Sequence, residues 1–390
     1  MKILFITPDF YPSSTGFANA SLNLINAIHE NYTNDIELFA FATTPLGTKK
    51  ELGYINVIRY KEPSFNNRFT YIFNQRRKFN YLKKIIDKEN IDIIFFETNT
   101  FPFLQNWILN RYGSKVFVRI HSTADTEVIV YGSQKSLLGR LQKKSICDFM
   151  KNVNNIVSTS DYYLDFIKKH YLQENVYSIW NDKTYNIIYN TAGDGINQAQ
   201  PANENVFITM GKMSSNGLTQ KGILDLLKSV YYLKKKSEIP DGFKVIVIGD
   251  GEMRERIDSY IKKLRIEPYI QIIPKASHEE VFGYISKSKA VVLLSRYEGQ
   301  SMFITESLAL GKPLVITKNN GMEHMVEEGV NGFLVETGDY KAAADILKNV
   351  MSMSFEEINE MGIASKKKYD NNYSSKAVCD QFKDIVNMIY

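Results

Sequence analysis

The chain has 390 residues, of which 44% are hydrophobic and 23% charged. That is enough for two domains of somewhat under roughly 200 residues each, and it argues against disorder over most of the length. A net charge of +5 falls short of the footprint of a nucleic-acid binder and suits anionic small ligands or an anionic membrane face.

The first apolar run, Ile3 to Ile6, reads as a buried parallel strand and stops at Pro8, too short for a signal peptide. A loop from Thr7 to Gly16 follows, then a helical pattern from Ala18 to His29. Strand candidates continue at Ile36 to Ala42, Ile91 to Phe96, Val116 to Ile120, Asn155 to Ser158 and Tyr185 to Ile188, with helical stretches between them. Such alternation predicts a parallel sheet with helices on both faces. Gly193 to Asn205 lacks apolar periodicity and reads as a linker. The pattern then restarts. Strands are predicted at Val206 to Met210, Phe243 to Ile248, Ile270 to Ile273, Ala290 to Ser295, Pro313 to Thr317 and Gly332 to Val335. A loop holding Gly211 and Gly217 leads into a helix from Gly222. The reading is therefore an α/β chain of two doubly wound domains, 1–195 and 206–373. A break at Tyr369 to Tyr373 precedes a last helix, 374–390, expected to pack back on the first domain. Cys147 and Cys379 have no metal-ligand spacing and read as reduced. No run approaches the roughly 20 apolar residues of a membrane span, so a cytoplasmic location is expected.

In an open parallel sheet, ligands bind beyond the carboxyl ends of the strands, where loops enter helix N-termini. Four places qualify. Gly16 would permit close backbone approach beside a helix N-terminus, although a simple turn explains it equally well. His121 follows the strand Val116 to Ile120. It is placed for hydrogen bonding to a hydroxyl, or merely for packing. Lys212 and Lys221 flank one strand–loop–helix junction, where both could reach a pyrophosphate or both could be solvated surface lysines. Glu298 and Glu306 flank a helix start at Ser301 and Met302, where a carboxylate can accept two hydrogen bonds from a vicinal diol. Spacing alone makes that pair a weak signal. Competing chemistries lack their motifs. There is no nucleophile elbow and no Gly-x4-Gly-Lys-Ser/Thr loop, and Gly249-Asp250-Gly251 lacks the third glycine of the dinucleotide fingerprint.

Taken in order, the segments ILFITPDFYPSSTG, FVRIHS, IVSTSDYY, IIYNTAGD, GKMSSNGLTQKG, VIVIGDGE, EGQSMFITESLALGKPLV and NNGMEHMVEEGVNGFLVETGD resemble glycosyltransferase family 4. The likeness runs over nearly the whole chain and is densest from Val206 to Asp339. It implies the GT-B fold, two Rossmann-like domains facing a central cleft, and a retaining transfer of a hexose or N-acetylhexosamine from a nucleotide-diphosphate sugar. Uridine is the expected base. Residue by residue, the resemblance implies that Lys212 and Lys221 neutralise the donor diphosphate and Glu306 holds the ribose. It implies that Glu298, with backbone amides of Gln300, Ser301, Met302 and Phe303, holds sugar hydroxyls. Gly16 would lie against phosphate and sugar, His121 would touch the sugar near the reacting centre, and Pro274, Lys275 and Ala276 would meet the base through their backbone. Four positions depart from the family's usual pattern: Lys212 for arginine, Ser301 and Pro274 for glycines, and Asn190-Thr191 for Asn-Gly. They bear on sugar and base more than on activity.

No Asp-x-Asp motif is present, so basic groups are expected to replace a metal, and no cofactor is expected beyond the donor substrate. Without an obvious carboxylate nucleophile, the expected route is front-face substitution through an oxocarbenium-like state, with the leaving diphosphate taking the acceptor's proton. The acceptor is expected to be a saccharide, glycolipid or glycoprotein met by the first domain. Two basic amphipathic segments, Arg68 to Lys88 and Gln134 to Lys151, suit an anionic membrane or a lipid-diphosphate acceptor, or simply pack on their sheet. Surface polysaccharide or glycolipid assembly is the expected setting, with protein O-glycosylation as the alternative. Epimerase, phosphorylase and catalytically silent partner readings also stay open.

Overall fold

A computed structural model describes residues 1–13, 15–32, 35–47, 49–61, 68–98, 101–121, 137–165, 183–199, 202, 205–318 and 321–387. The chain divides into two compact units, Met1–Thr191 with Ser375–Tyr390, and Ala192–Ser374.

The N-terminal unit has strands β1 (Lys2–Thr7), β2 (Glu37–Ala42), β3 (Asn56–Arg59), β4 (Ile93–Phe96), β5 (Val116–Ile120), β6 (Asn155–Ser158) and β7 (Thr184–Ile187). They form one sheet in the order β3-β2-β1-β4-β5-β6-β7, parallel throughout. Helices α1 (Gly16–Asn31), α2 (Arg68–Glu89), α3 (Pro102–Tyr112) and α4 (Leu137–Asn152) lie between strands in the chain. The central strands are unbroken apolar runs because helices cover both faces, and two hydrophobic clusters form, one on each face. Thr15 caps α1 by accepting from the Ala18 amide, and α1 buries Leu24, Ile25 and Ile28.

The C-terminal unit has strands β8 (Val206–Met210), β9 (Lys244–Ile248), β10 (Ile270–Ile273), β11 (Ala290–Leu293), β12 (Leu314–Thr317) and β13 (Gly332–Val335). Their order, β10-β9-β8-β11-β12-β13, is again parallel. Its helices are α5 (Ser215–Gln220), α6 (Ile223–Lys235), α7 (Arg254–Leu264), α8 (His278–Lys287), α9 (Met302–Ala309), α10 (Tyr340–Ser352) and α11 (Phe355–Asn372). The last helix, α12 (Ser375–Asn387), belongs to the N-terminal unit, where Val378, Phe382, Ile385 and Val386 enter the cluster that contains Ile3 and Leu24. Strand order reverses between β1 and β4 in one unit and between β8 and β11 in the other. At such a switch point the loops from neighbouring strands part and leave room for a ligand.

Most elements fall within two or three residues of their expected positions. Three expectations need correction. Gly217 lies in the short helix α5, not in an open loop. Tyr369 to Asn372 complete α11 rather than breaking the chain, and the turn falls at Tyr373 and Ser374. Strand β3 was not expected: it is a half-exposed edge strand whose Asn-Val-Ile-Arg sequence lacks an apolar run. Of the expected elements, Gln134 to Ser136, part of the linker and the last three residues of 374–390 lie outside the described residues.

Candidate functional site

At the β8/β11 switch point, Gly211 follows β8 and Lys221 follows the short helix α5. A Cβ on Gly211 would lie 2.8 Å from Cγ of Lys221, so the lysine stem crosses directly over this glycine. Gly222 next to it has φ +64°, and a Cβ there would come 1.8 Å from the carbonyl oxygen of Leu294 at the end of β11. Only glycine allows that approach. The backbone therefore delivers Lys221 to the loop leaving β11, where its Nζ donates to Oε2 of Glu298. Two further bonds tie these loops: the Arg296 amide donates to the Gln220 carbonyl at 2.8 Å, and the Arg296 guanidinium to buried Asp225 at 2.8 Å. Lys212 is exposed and has no ion pair among the described residues.

Ser301 precedes α9 and forms no side-chain cap, so the helix start is not satisfied by its own N-cap residue. The Gln300 side chain is buried and donates to Thr305, and the Phe303 ring is buried too. These two positions can offer a ligand their backbone only. Glu306 lies in the middle of α9, nearly buried, and pairs with Nε2 of His278 at 2.8 Å. His278 is the first residue of α8, whose capping box at Ser277 and Glu280 fixes its start. That hydrogen bond, partly opposed by burial, raises the His278 pKa above its ordinary value. The loop Pro274, Lys275 and Ala276 lies between the end of β10 and the Ser277 cap that places His278. His278 was missed in the sequence. The capping box announces a helix start at a strand's carboxyl end, but nothing in the spacing announces the pairing.

In the N-terminal unit, Gly16 begins α1. A Cβ there would meet no atom of the described residues within 4 Å, so their packing does not demand glycine. Phe17, beside it, meets the His121 ring edge-on with centroids 4.9 Å apart. Thus Gly16 and His121 are brought to one strand-end region. His121 is not a lone histidine. Its Nε2 lies 2.7 Å from Oε2 of Glu97, the residue after β4. The same oxygen receives Ser21 Oγ at 3.0 Å and Arg119 at 3.3 Å. Arg119 also donates to the carbonyls of Ile188 and Tyr189 and to Asn190. Glu97 and Arg119 are completely buried. Burial works against the charge on Glu97, but Arg119, His121 and Ser21 outweigh it and hold the carboxyl at about 2. Burial first, then Arg119, lowers the pKa of His121, and Glu97 opposes them. Both Glu97 and Arg119 were missed in the sequence. The available signal was a charge inside the apolar strand FVRI, which requires a buried partner.

Comparison with known proteins finds likenesses in both sequence and fold. Residues 196–368 match the family model described as glycosyl transferases group 1. An uncharacterized glycosyltransferase of Methanocaldococcus jannaschii is 26% identical over 339 residues, which is 86% of this chain and 84% of that one. The lipopolysaccharide 1,6-galactosyltransferase of Escherichia coli K12 is 27% identical over 242 residues, 60% of this chain and 63% of the relative. The crystal structure of Anabaena HepE in complex with UDP and glucose superposes with a TM-score of 0.72 at 16% identity, over 99% of both chains, a likeness of fold. With two parallel-sheet Rossmann-like units in sequence, the chain has the GT-B fold, and its residues 196–368 resemble the group 1 glycosyltransferases.

Proposed function

We propose that this enzyme transfers a hexose or N-acetylhexosamine, with retention and without a metal, from a uridine-diphosphate sugar to a saccharide or lipid-linked acceptor in surface polysaccharide or glycolipid assembly. The observation that carries the reading is the Lys221–Glu298 pair at the β8/β11 switch point, with Lys212 on the same loop and the uncapped start of α9 just beyond Glu298. Cationic lysines and a helix start at a strand-end crevice suit a diphosphate. Glu306, one helix turn or more into α9, suits a ribose diol, and the backbone of Pro274 to Ala276 suits the base. The UDP bound to HepE and the similarity to a lipopolysaccharide 1,6-galactosyltransferase support base and setting.

In this reading the donor's anomeric C–O bond breaks as the acceptor oxygen attacks the same face, and the acceptor proton passes to the departing diphosphate oxygen. Lys212, Lys221 and the α9 amides stabilise the charge that develops on it, and do so from fixed positions. Glu298 holds sugar hydroxyls while its carboxylate orients Lys221. Gly16 and His121 carry the remaining sugar contacts. The acceptor falls to the N-terminal unit. On α2, Phe73 and Tyr81 are exposed alongside Arg77, Lys84 and Lys88, and on α4 Leu137 and Leu141 are exposed beside Arg140 and Lys144. Such mixed faces suit an anionic membrane or a lipid-diphosphate. No helix among the described residues is long and apolar enough to cross a membrane.

The test is a thermal-shift panel of UDP, GDP, ADP, dTDP and their sugars, with and without EDTA, on wild type and Lys221→Ala. A ligand at 100 times its Kd stabilises by about 2.7 kcal/mol. The expected result is a shift by UDP species in wild type, indifferent to EDTA and lost in the variant. Binding without sugar transfer to extracted glycolipid or saccharide acceptors would favour the silent-partner reading. No shift by any nucleotide would remove the donor site.

A further inference from the structure

We propose that Glu97 is a positioning residue for His121: it accepts the Nε2–H hydrogen bond and so fixes the tautomer in which Nδ1 presents a lone pair to a hydroxyl of the donor sugar. The inference rests on the reading above that His121 meets the sugar.

The geometry of Glu97 points this way. Among the described residues its three hydrogen-bond contacts, to His121, Ser21 and Arg119, all converge on Oε2, and Oε1 has no partner there. A carboxylate serving only to neutralise an arginine usually takes the two-pronged arrangement, one oxygen to each guanidinium N–H. Here the Arg119 contact is single and long at 3.3 Å, and the shortest bond, 2.7 Å, goes to the imidazole. At that distance an ionised carboxylate and a bare ring nitrogen would repel, so the hydrogen lies between them on Nε2. The competing donor, Arg119, sits 3.4 Å from the same nitrogen, at the outer limit of a hydrogen bond. Phe17 packs against the ring edge-on and restricts its rotation. Among the described residues, every hydrogen bond of His121 is made through Nε2, and in this proposal Nδ1 is the nitrogen that meets the sugar. A second residue that fixes one ring nitrogen in this way determines whether the other donates or accepts. Without Glu97, the polar group left within reach of Nε2 among the described residues is the Arg119 donor. The imidazole would then take the opposite tautomer, and Nδ1 would donate instead of accept.

The first measurement is the nitrogen spectrum of histidine side chains in 15N-labelled full-length protein, with His121 assigned by its loss in His121→Gln. The expected pattern has a protonated Nε2 and an unprotonated Nδ1. The second is kinetics of Glu97→Gln, a near-isosteric change whose carboxamide can turn its NH2 toward Nε2. Sugar transfer is expected to fall on the order of a hundredfold in kcat, the scale of a displaced proton-transfer or hydrogen-bonding group. The affinity for UDP, which lacks the sugar, is expected to stay within about twofold, a tenfold loss being 1.4 kcal/mol. A protonated Nδ1 in wild type overturns the proposal even if Glu97→Gln fails to fold. Full sugar transfer by a folded Glu97→Gln protein also overturns it. Wild-type protein that binds no nucleotide sugar overturns the functional reading instead, and the tautomer spectrum is read independently of that result.

Discussion

In the N-terminal unit the charged groups at the strand ends are sealed in, whereas in the C-terminal unit each pair has at least one side chain that reaches water. Glu97 and Arg119 have no exposed side-chain surface. Lys221 keeps 22% of its side-chain surface, Glu298 12% and His278 49%. Burial decides what each set can do. A buried pair is costly to break because one charge is left without water or partner. A half-exposed pair gains little and can trade its partner for a ligand at small cost. The first set therefore holds geometry, and the second is free to bind.

The largest effect expected from this contrast is in stability. Arg119→Met would leave Glu97 buried without its cation and three acceptors, on Ile188, Tyr189 and Asn190, without their donor. Urea unfolding should show a loss of about 3–5 kcal/mol. Lys221→Ala, by contrast, should stay within about 1 kcal/mol of wild type in the same assay while losing nucleotide binding. Equal losses in the two variants would break the comparison.

Glycines sharpen it at a smaller scale. Gly222 is held by the fold, through its left-handed backbone and the Leu294 carbonyl at 1.8 Å from any Cβ, while a Cβ on Gly16 would meet none of the described residues within 4 Å. Gly222→Ala should cost at least about 1–3 kcal/mol from backbone strain alone. Gly16→Ala should melt within about 0.5 kcal/mol of wild type. If the donor lies against Gly16, the added methyl should weaken binding of the nucleotide sugar by about 1–3 kcal/mol, roughly ten- to a hundredfold. Calorimetric titration alongside melting would separate the two. A Gly16→Ala protein with unchanged donor affinity would assign that glycine to the turn.

The same division explains what could be read from the residues. Central parallel strands announce themselves as apolar runs, and the strand-end rule led to His121, Lys221, Glu298 and Glu306 before any coordinates. Strand β3 escaped because an edge strand needs no apolar run, and α5 because Ser-Asn-Gly-Leu-Thr-Gln has neither periodicity nor good helix formers. The aromatic and polar residues Tyr369 to Asn372 looked like a break because sequence alone does not show that Tyr369 is buried in its helix. Glu97, Arg119 and His278 were missed for a shared reason. Local pattern treats a charge as solvated, and their pairings join residues 22 to 28 positions apart.

The two histidines carry the contrast to its smallest expected effect, and with opposite signs. His278 has its pKa raised by Glu306, so the folded protein binds that proton more tightly than the unfolded chain. Its contribution is fully present below the ordinary histidine value of about 6.5 and is lost as pH rises through the higher folded value. His121 has its pKa lowered, by burial and then by Arg119, with Glu97 opposing and Ser21 and Phe17 uncharged beside it. The unfolded chain therefore takes up the proton first. That contribution is present above about 6.5 and is lost as pH falls below it. Stability measured by urea unfolding from pH 8 to pH 5 should make wild type gain on His278→Gln and lose ground to His121→Gln as the solution is acidified. The His278 difference should remain under about 1 kcal/mol because half of that side chain is solvated. The His121 difference should be the larger, since nothing screens it. Two slopes of the same sign would mean that burial does not separate the units as argued, and that His121 gains more from Glu97 than it loses to Arg119 and to the interior.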